Sequence, residues 1–591
     1  MQRISANGTS FASHKVVQIP EIVELILSFL DKSSNVQNAL VCKQWSDIAL
    51  NLLWRDLPDV CPLFELLCPM KLGYNYSEYK HIFTRRLGSQ DWDRFARYAR
   101  RVRSLTKSKH TDASGRTSAH FKTPSASAFD EVARSRPSSS HLLPHLRALA
   151  WLAESDTEMR YSIMFMHERI VDFTVQLHDS RDYPVAMYLK EVALRMPNIT
   201  HIDLRYGDTT DIEESDVVEL LRDLPKLKRV IFPLYSLTSK VISQLSQHPD
   251  LGVVQFEFNL SQGAADVEGV LHFAPELQEG AFPALWDISL SARLSDITAF
   301  LNDINGPANL TLLYVHVLTP TTPDEITQFL NVVVENCQCL TNLYLDYMSS
   351  SIIVEEPETP PARITWETLR PLLSIPNLVV FEMRWDLPIQ ITQQEVEEIA
   401  MKWPSLEGFL LNCEPVNSSE ESTLTLEALL PFARHCPELR ELGLYLNASR
   451  ATDEDAAALG PLVKPFKKLQ QLSVGLSSIS DPGPVALYLS HLCPADCELS
   501  SGVTWPDGFG MVQNNSNAGM LDLLNAQAAV WWEKWAEVEK VLPLLTKLRI
   551  QEREARAALE KEVADLRTRC RLLLSERSSV QIRPDDSCIA V

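Results

Sequence analysis

Eleven cysteines are scattered along the 591 residues, and they are the first place to look for chemistry. Cys337 and Cys339 form one close pair, Cys493 and Cys497 another. A structural zinc site needs four Cys or His ligands, usually as two such pairs. Neither pair has a second one at that spacing, so the sequence predicts thiols and no metal. Cys42 could serve as a nucleophile only beside a base that holds its thiolate. It lies in an apolar stretch with no nearby His and reads as a small buried side chain. Cys588 stands four residues from the end, in Cys588-Ile589-Ala590-Val591, the Cys-a-a-X position that a prenyltransferase requires. Ala590 is a poor aliphatic, Val591 is not a usual terminal residue, and no polybasic segment lies upstream. An unmodified tail is the expectation, with prenylation of Cys588 the alternative. Walker loops, Gly-x-Gly-x-x-Gly turns, Gly-x-Ser-x-Gly elbows and His-Glu-x-x-His helices are all missing. The sequence thus offers no catalytic constellation and needs no cofactor, so any catalysis is expected to belong to partners.

What the sequence does offer is apolar docking. Residues 18–57 read QIPEIVELILSFLDKSSNVQNALVCKQWSDIALNLLWRDL. Ile22, Leu25, Ile26, Phe29 and Leu30 fall at i, i+3, i+4, i+7 and i+8, the apolar stripe of an amphipathic helix. Pro20 suits a first helical turn, where its missing N–H has no intrahelical partner. Ser33, Ser34 and Asn35 break the pattern and can cap a second short helix carrying Val36, Ala39 and Leu40. A third helix begins near Trp45, with Ile48, Ala49, Leu52 and Leu53 at the same spacing. Three helices in about 40 residues cannot bury this much apolar surface among themselves. Val41, Cys42, Trp45, Leu53 and Trp54 are left to face a partner.

The order of these residues resembles the F-box motif over its whole length: Ile-Pro, then Ile and Leu at helical spacing, Leu-Asp, Leu-Val-Cys-Lys-x-Trp and Leu-Leu-Trp. Ile19 replaces the usual leucine, and Lys32 stands where a proline often follows the Leu-Asp. The resemblance implies a Skp-family adaptor as partner and, through it, a cullin. It implies that Ile19, Pro20, Ile22, Leu40, Val41, Cys42, Trp45, Leu53 and Trp54 include the adaptor contacts.

Composition limits the remaining classes. A net charge of −22 argues against a general nucleic-acid binder. No run of 18 apolar residues predicts a membrane span, and no apolar leader is visible at the start, so the expected location is cytoplasmic or nuclear with reduced thiols.

Along the chain, residues 1–17 read as a disordered tail and 58–105 as a helical linker. In the linker, Trp92, Phe95, Tyr98, Ala99 and Val102 form an apolar face opposite Arg94, Arg97, Arg100, Arg101 and Arg103. Residues 106–141 are rich in Ser, Thr and His and read as a disordered insertion. A repeat then begins: an apolar residue at position 0, another at +3 and another at +5. It starts twelve times, at Leu146, Ile170, Ile199, Leu227, Leu251, Leu285, Leu310, Leu340, Leu378, Leu406, Leu439 and Leu469, with a mean interval of about 29 residues. That is the period of leucine-rich repeats, one strand and one return helix per unit. Helical patterns lie between, at 215–221, 325–330, 395–400 and 426–430.

The expected fold is therefore α/β: a three-helix F-box at 18–57, a degenerate leucine-rich-repeat solenoid at 142–499 with a curved parallel sheet inside and helices outside, and a long C-terminal helix. A loop is expected at 500–520, the helical segment at 521–576 and a disordered tail at 577–591. Trp531, Trp532 and Trp535 would anchor that helix. Positions +2, +4 and +6 occupy the other face of each strand. Arg229, Tyr314, His316, Tyr344, Asp346, Arg384 and Tyr445 stand there as candidate contacts to a protein substrate. The resemblance implies substrate recruitment to a Skp-cullin-F-box ubiquitin ligase. The alternative is a scaffold that binds the adaptor outside a ligase.

Overall fold

Each predicted repeat start lies two residues before a strand in the computed structural model. The structure describes residues 19–75, 78–107, 123–137, 141–206, 212–257, 262–347, 363–415, 422–459, 463–502 and 518–580. The N-terminal tail, residues 581–591 with Cys588, and the stretch 348–362 lie outside these residues, while 577–580 of the expected C-terminal tail belong to the last helix. The chain forms two compact units, one chiefly of Met1–Thr319, the other chiefly of Leu340–Trp505 with the C-terminal helix.

In the first unit, helices α1 (Pro20–Ser28), α2 (Lys32–Asn38) and α3 (Lys43–Arg55) lead straight into strand β1 (Asp56–Leu57). Then come α4 (Cys61–Leu67), the antiparallel hairpin β2 (Met70–Asn75) and β3 (Glu78–Phe83), α5 (Ser89–Ala99), β4 (Ser104–Lys107) and α6 (Ala126–Ser135). The repeat strands follow: β5 (Ala148–Trp151), β6 (Asp172–Leu177), β7 (His201–Tyr206), β8 (Arg229–Phe232), β9 (Val253–Phe256), β10 (Asp287–Ala292) and β11 (Leu312–Val317). They form a parallel sheet in the order β1-β4-β5-β6-β7-β8-β9-β10-β11. In the second unit β12 (Asn342–Asp346), β13 (Val380–Arg384), β14 (Gly408–Leu411), β15 (Glu441–Leu444), β16 (Gln471–Gly475) and β17 (Glu498–Ser501) are parallel in chain order.

Sequence periodicity explains the register. Every 0, +3 and +5 side chain of the twelve repeats is buried, from Leu146, Leu149 and Trp151 to Leu469, Leu472 and Val474. Successive strands align these positions, as Ile202 with Val230 and Leu442 with Leu472. The four helical patterns between strands lie in helices, for example Glu214–Asp223 and Gln393–Lys402. The molecule is an α/β repeat solenoid following the N-terminal helices.

Several boundaries differ from expectation. Residues 58–105 are no helical linker: they contain the hairpin and β4, and the sheet begins at β1 rather than near residue 142. Val102 and Leu105 hold positions 0 and +3 of the repeat, but Lys107 holds +5, which hid the strand. Lys107 is tolerated there because Glu158 lies 2.7 Å from its Nζ, and Lys80 of the hairpin lies 3.3 Å from the same carboxylate. Burial alone would raise the Glu158 pKa, but Lys107 and Lys80 outweigh it and hold the carboxyl below its ordinary range. Within the expected disordered insertion, α6 is a helix. Ser125 caps it and Ala128, Phe129 and Val132 are buried on one face. Phe129 meets Phe64 edge-on at 5.1 Å and stacks on Tyr161 at 4.4 Å. Composition undervalued a single aromatic that finds prepared neighbours.

The C-terminal helix spans Ala518–Val580 and runs through Pro543. Its start is not anchored by all three tryptophans. Trp535 is buried and donates from Nε1 to Ser477 O at 2.8 Å, Trp531 is half-buried, and Trp532 is exposed. Val538, Leu542 and Thr546 continue the buried face, and Arg553 donates to His491 O at 2.7 Å.

Candidate functional site: an apolar helical face and two sheet faces

Helix α1 has one polar face, Glu21, Glu24 and Ser28, and a wide apolar one whose work is divided. Val23 and Leu27, one turn apart, are buried with Ile48 and Ala49 of α3, and Ala39, Trp45 and Leu52 pack against this cluster. Asp31 caps α2 by accepting from Ser34 N at 3.2 Å, so the α2 cap lies earlier than expected, and Ser33, Ser34 and Asn35 lie inside the helix. Asn35 is buried and its Nδ2 donates to Leu27 O at 2.9 Å, joining Leu30 N on that carbonyl at the end of α1. Cys42 is exposed, not buried, and its Sγ accepts from Trp45 N at the start of α3.

The core of this module is thus small, and much of its apolar surface faces out. Phe29 is 82 % exposed and Leu40 79 %. Ile19, Leu25, Ile26, Leu30, Val36 and Val41 are exposed as well. Of the nine expected adaptor contacts, Ile19, Pro20, Leu40, Val41 and Cys42 are exposed, while Ile22, Trp45, Leu53 and Trp54 are half-buried. Trp54 is turned toward α5, with its ring 4.8 Å from that of Tyr98. Leu25, Ile26, Phe29, Leu30 and Val36 were not among the expected contacts. The signal for them was present: the apolar arc of α1 is wider than the strip that Val23 and Leu27 bury.

The module is clamped to the sheet. Arg101, one of the five arginines expected on a solvated face, has a side chain only 14 % exposed and lies 3.0 Å from Asp47 Oδ1. It also donates to Asp47 O at 3.0 Å and to Asn51 Oδ1. Arg103 N donates to Arg55 O at 2.8 Å, so β4 continues the chain leaving α3.

On the sheet of the first unit, Arg229 is exposed in the +2 row. Its guanidinium donates to Gln255 Oε1 at 3.3 Å, and Gln255 Nε2 donates to Asp287 Oδ2 at 2.8 Å, linking three adjacent strands. Burial pushes the Asp287 carboxyl up to about 6, while Arg229 and Gln255 oppose the shift. These residues line a recess of about 470 Å³ together with His201, Lys228, Asp250 and Trp286. The Trp286 indole is half exposed and lies across Gly252, where a Cβ would come within 2.7 Å of its Nε1. Sequence reasoning missed Trp286 because it stands at +1, outside the alternating pattern. Tyr314 is half-buried, edge-on to Phe256 at 5.6 Å.

His316, by contrast, is wholly buried and is no surface contact. Its Nδ1 lies 2.8 Å from Ser291 Oγ and its ring 6.1 Å from that of Tyr235. Desolvation pushes its pKa down to about 3. In the second unit Tyr344 and Arg384 are half-buried, Arg384 paired with Glu382 at 2.7 Å. Asp346 and Tyr445 are buried, again contrary to expectation. His316, Asp346 and Tyr445 all stand at +6, at the strand end, where Arg384 by contrast stays half-buried. Tyr235, in a left-handed turn after β8, lies over His316, and Ser422 Oγ donates to Tyr445 O. Among the described residues no group of His, Cys, Asp and Glu could hold a metal ion, and no helix is long and apolar enough to cross a membrane.

The F-box-like family matches residues 20–57, so the chain carries an F-box-like domain there. No curated protein matches the chain. Among solved structures, the yeast Rad7–Elc1 complex is 13 % identical, over 58 % of this chain and 81 % of that one, with a TM-score of 0.32. The TLR13–ssRNA13 complex is 11 % identical, over 70 % of this chain and 56 % of that one, with a TM-score of 0.28.

Proposed function

We propose that this chain, with its F-box-like domain, is the substrate-recognition subunit of a Skp-cullin-F-box ubiquitin ligase. The observation that carries the proposal is the exposed apolar surface of α1 and the α2–α3 turn, with Phe29 and Leu40 almost fully in solvent. A domain that small gains nothing by exposing such side chains in isolation, and large exposed apolar surface marks an interaction site. The occupant is a Skp-family adaptor, which brings a cullin. The sheet faces carry the substrate: Arg229 and Tyr314 with Trp286 in the first unit, Tyr344 and Arg384 in the second. The chain then does no bond chemistry. It raises the concentration of substrate lysines near a charged ubiquitin carrier, which is catalysis by proximity.

The test is affinity purification of the tagged full chain from its native cell. Adaptor and cullin together are expected, and both are lost when Phe29 and Leu40 are replaced by Ser. Adaptor without cullin refutes the ligase role and leaves a scaffold. Neither protein in the wild-type eluate refutes the adaptor-binding reading altogether.

A further inference from the structure

Far along the C-terminal helix Ala518–Val580, the described side chains lie in solvent. From Glu554 to Leu574 every residue is exposed, although the same helix is buried at Trp535, Val538 and Leu542. In proteins most helical stability comes from packing an apolar face. Its exposed residues are not randomly placed. Leu559, Val563, Leu566, Cys570 and Leu573 are spaced four, three, four and three apart, the a/d seam of a coiled coil. Glu562 and Arg569 fall directly beside this seam.

The flanking charges select the partner. Glu560 and Glu562 flank the first half of the seam, Arg567 and Arg569 the second. Laid antiparallel on a second copy, with Val563 facing Leu566 and Leu559 facing Cys570, the seam pairs apolar with apolar in four successive layers. In that register Glu562 meets Arg569 and Glu560 meets Arg567, each twice by symmetry. A parallel pair in register brings only Glu562 to Arg567. Of the four flanking charges, Glu560 and Arg569 have partners within their own helix, Arg556 at 3.1 Å and Asp565 at 2.9 Å, both pairs open to solvent.

We propose that residues 556–573 pair antiparallel with the same segment of a second copy of this chain, making the protein a dimer joined through its C-terminal helices. The inference does not depend on the ligase reading. A self-complementary surface repeated on both partners is what a two-fold dimer requires.

Sedimentation equilibrium of the full chain over a dilution series tests it. The expected mass is twice 66.7 kDa at high concentration. Leu566→Asp, on an exposed face, is expected to leave the fold intact and return the monomer. Glu562→Arg is expected to weaken the dimer about tenfold, and adding Arg569→Glu to restore it. Orientation is read by mild oxidation and peptide mapping: Leu559→Cys is expected to form a disulfide between residue 559 of one copy and Cys570 of the other, as facing layers approach closely enough. A monomer at every concentration overturns the proposal. So does a dimer insensitive to Leu566→Asp, or a Cys570–Cys570 crosslink in the unaltered protein, which only a parallel pair permits.

Discussion

Replacing Phe29 and Leu40 together by Ala separates docking from folding on the α1–α2 surface. Phe29 is 82 % exposed and Leu40 79 %, so neither contributes much to the module's own core. Surface changes of this kind stay within about 0.5 kcal/mol of folding stability. On a partner, burying each side chain is worth roughly 1.5–3 kcal/mol. The pair is therefore expected to lose about 3–5 kcal/mol of binding, a weakening of at least about a hundredfold at 1.4 kcal/mol per factor of ten. Titration calorimetry of purified chain against a recombinant Skp-family adaptor measures the loss, and a thermal melt measures the fold. Leu27→Ala is the contrast: it is 1 % exposed in a core cluster of four residues, and it should cost about 2–5 kcal/mol of stability. Trp45→Ala is a poorer probe than the F-box motif suggests, because Trp45 also packs on that cluster. An unchanged affinity in the double variant, with the melt also unchanged, would refute the docking assignment.

Arg101→Ala removes the clamp between α3 and the sheet. It is expected to cost about 1–2 kcal/mol and to speed amide exchange in Lys43–Arg55 while leaving β5–β11 protected, and uniform acceleration would show that the arginine holds no specific contact. Glu158→Gln leaves Lys107 and Lys80 without their shared carboxylate and is expected to cost about 3 kcal/mol at neutral pH. Because the folded carboxyl titrates below its ordinary range, that contribution is present above pH 4.5 and is lost as the pH falls through the lowered value. A gap between the two melting curves that persisted in acid would place the effect elsewhere. His316 is held neutral down to about pH 3, whereas the unfolded chain protonates near 6.5, so between these values stability falls with pH by about 1.4 kcal/mol per unit. His316→Gln should flatten the acid limb by about one proton, and an unaltered limb would show the imidazole is solvated.

The repeat was legible because its signal is local. Each 0, +3 and +5 triplet, such as Ile199, Ile202 and Leu204, declares a strand that buries one face, whatever the rest of the chain does. What escaped depended on distant partners. Lys107 fits a core position only because Glu158 arrives from 51 residues away. Phe129 turns a Ser-rich stretch into a helix only because Phe64 and Tyr161 wait for it. The exposed apolar face was half legible. Sequence order singled out Leu40 and Val41, which lie in the open, but it could not reveal that Val23 and Leu27 take the core and release Phe29, nor that Trp54 packs on Tyr98. On the sheet, alternation placed Arg229 correctly in the open and failed for His316, since alternation knows nothing of loops that close over strand ends.

The direct passage from α3 into β1 has a mechanical consequence. Arg55 ends the helix, Asp56 begins the strand, and Arg103 bonds back to Arg55, so no linker separates the docking module from the sheet. A flexible tether would spread a bound substrate over many positions and lower its effective concentration at any one of them. Here the sheet order β1-β4-β5-β6-β7-β8 sets the Arg229 row five strand steps from β1. At about 4.8 Å per step that is roughly 24 Å along the sheet. Under the proposed function, a receptor built this way would offer its substrate in one orientation. It would select lysines by their distance from the bound segment rather than by their surroundings, and lengthening the α3–β1 junction with flexible residues would relax that selection without touching either binding surface.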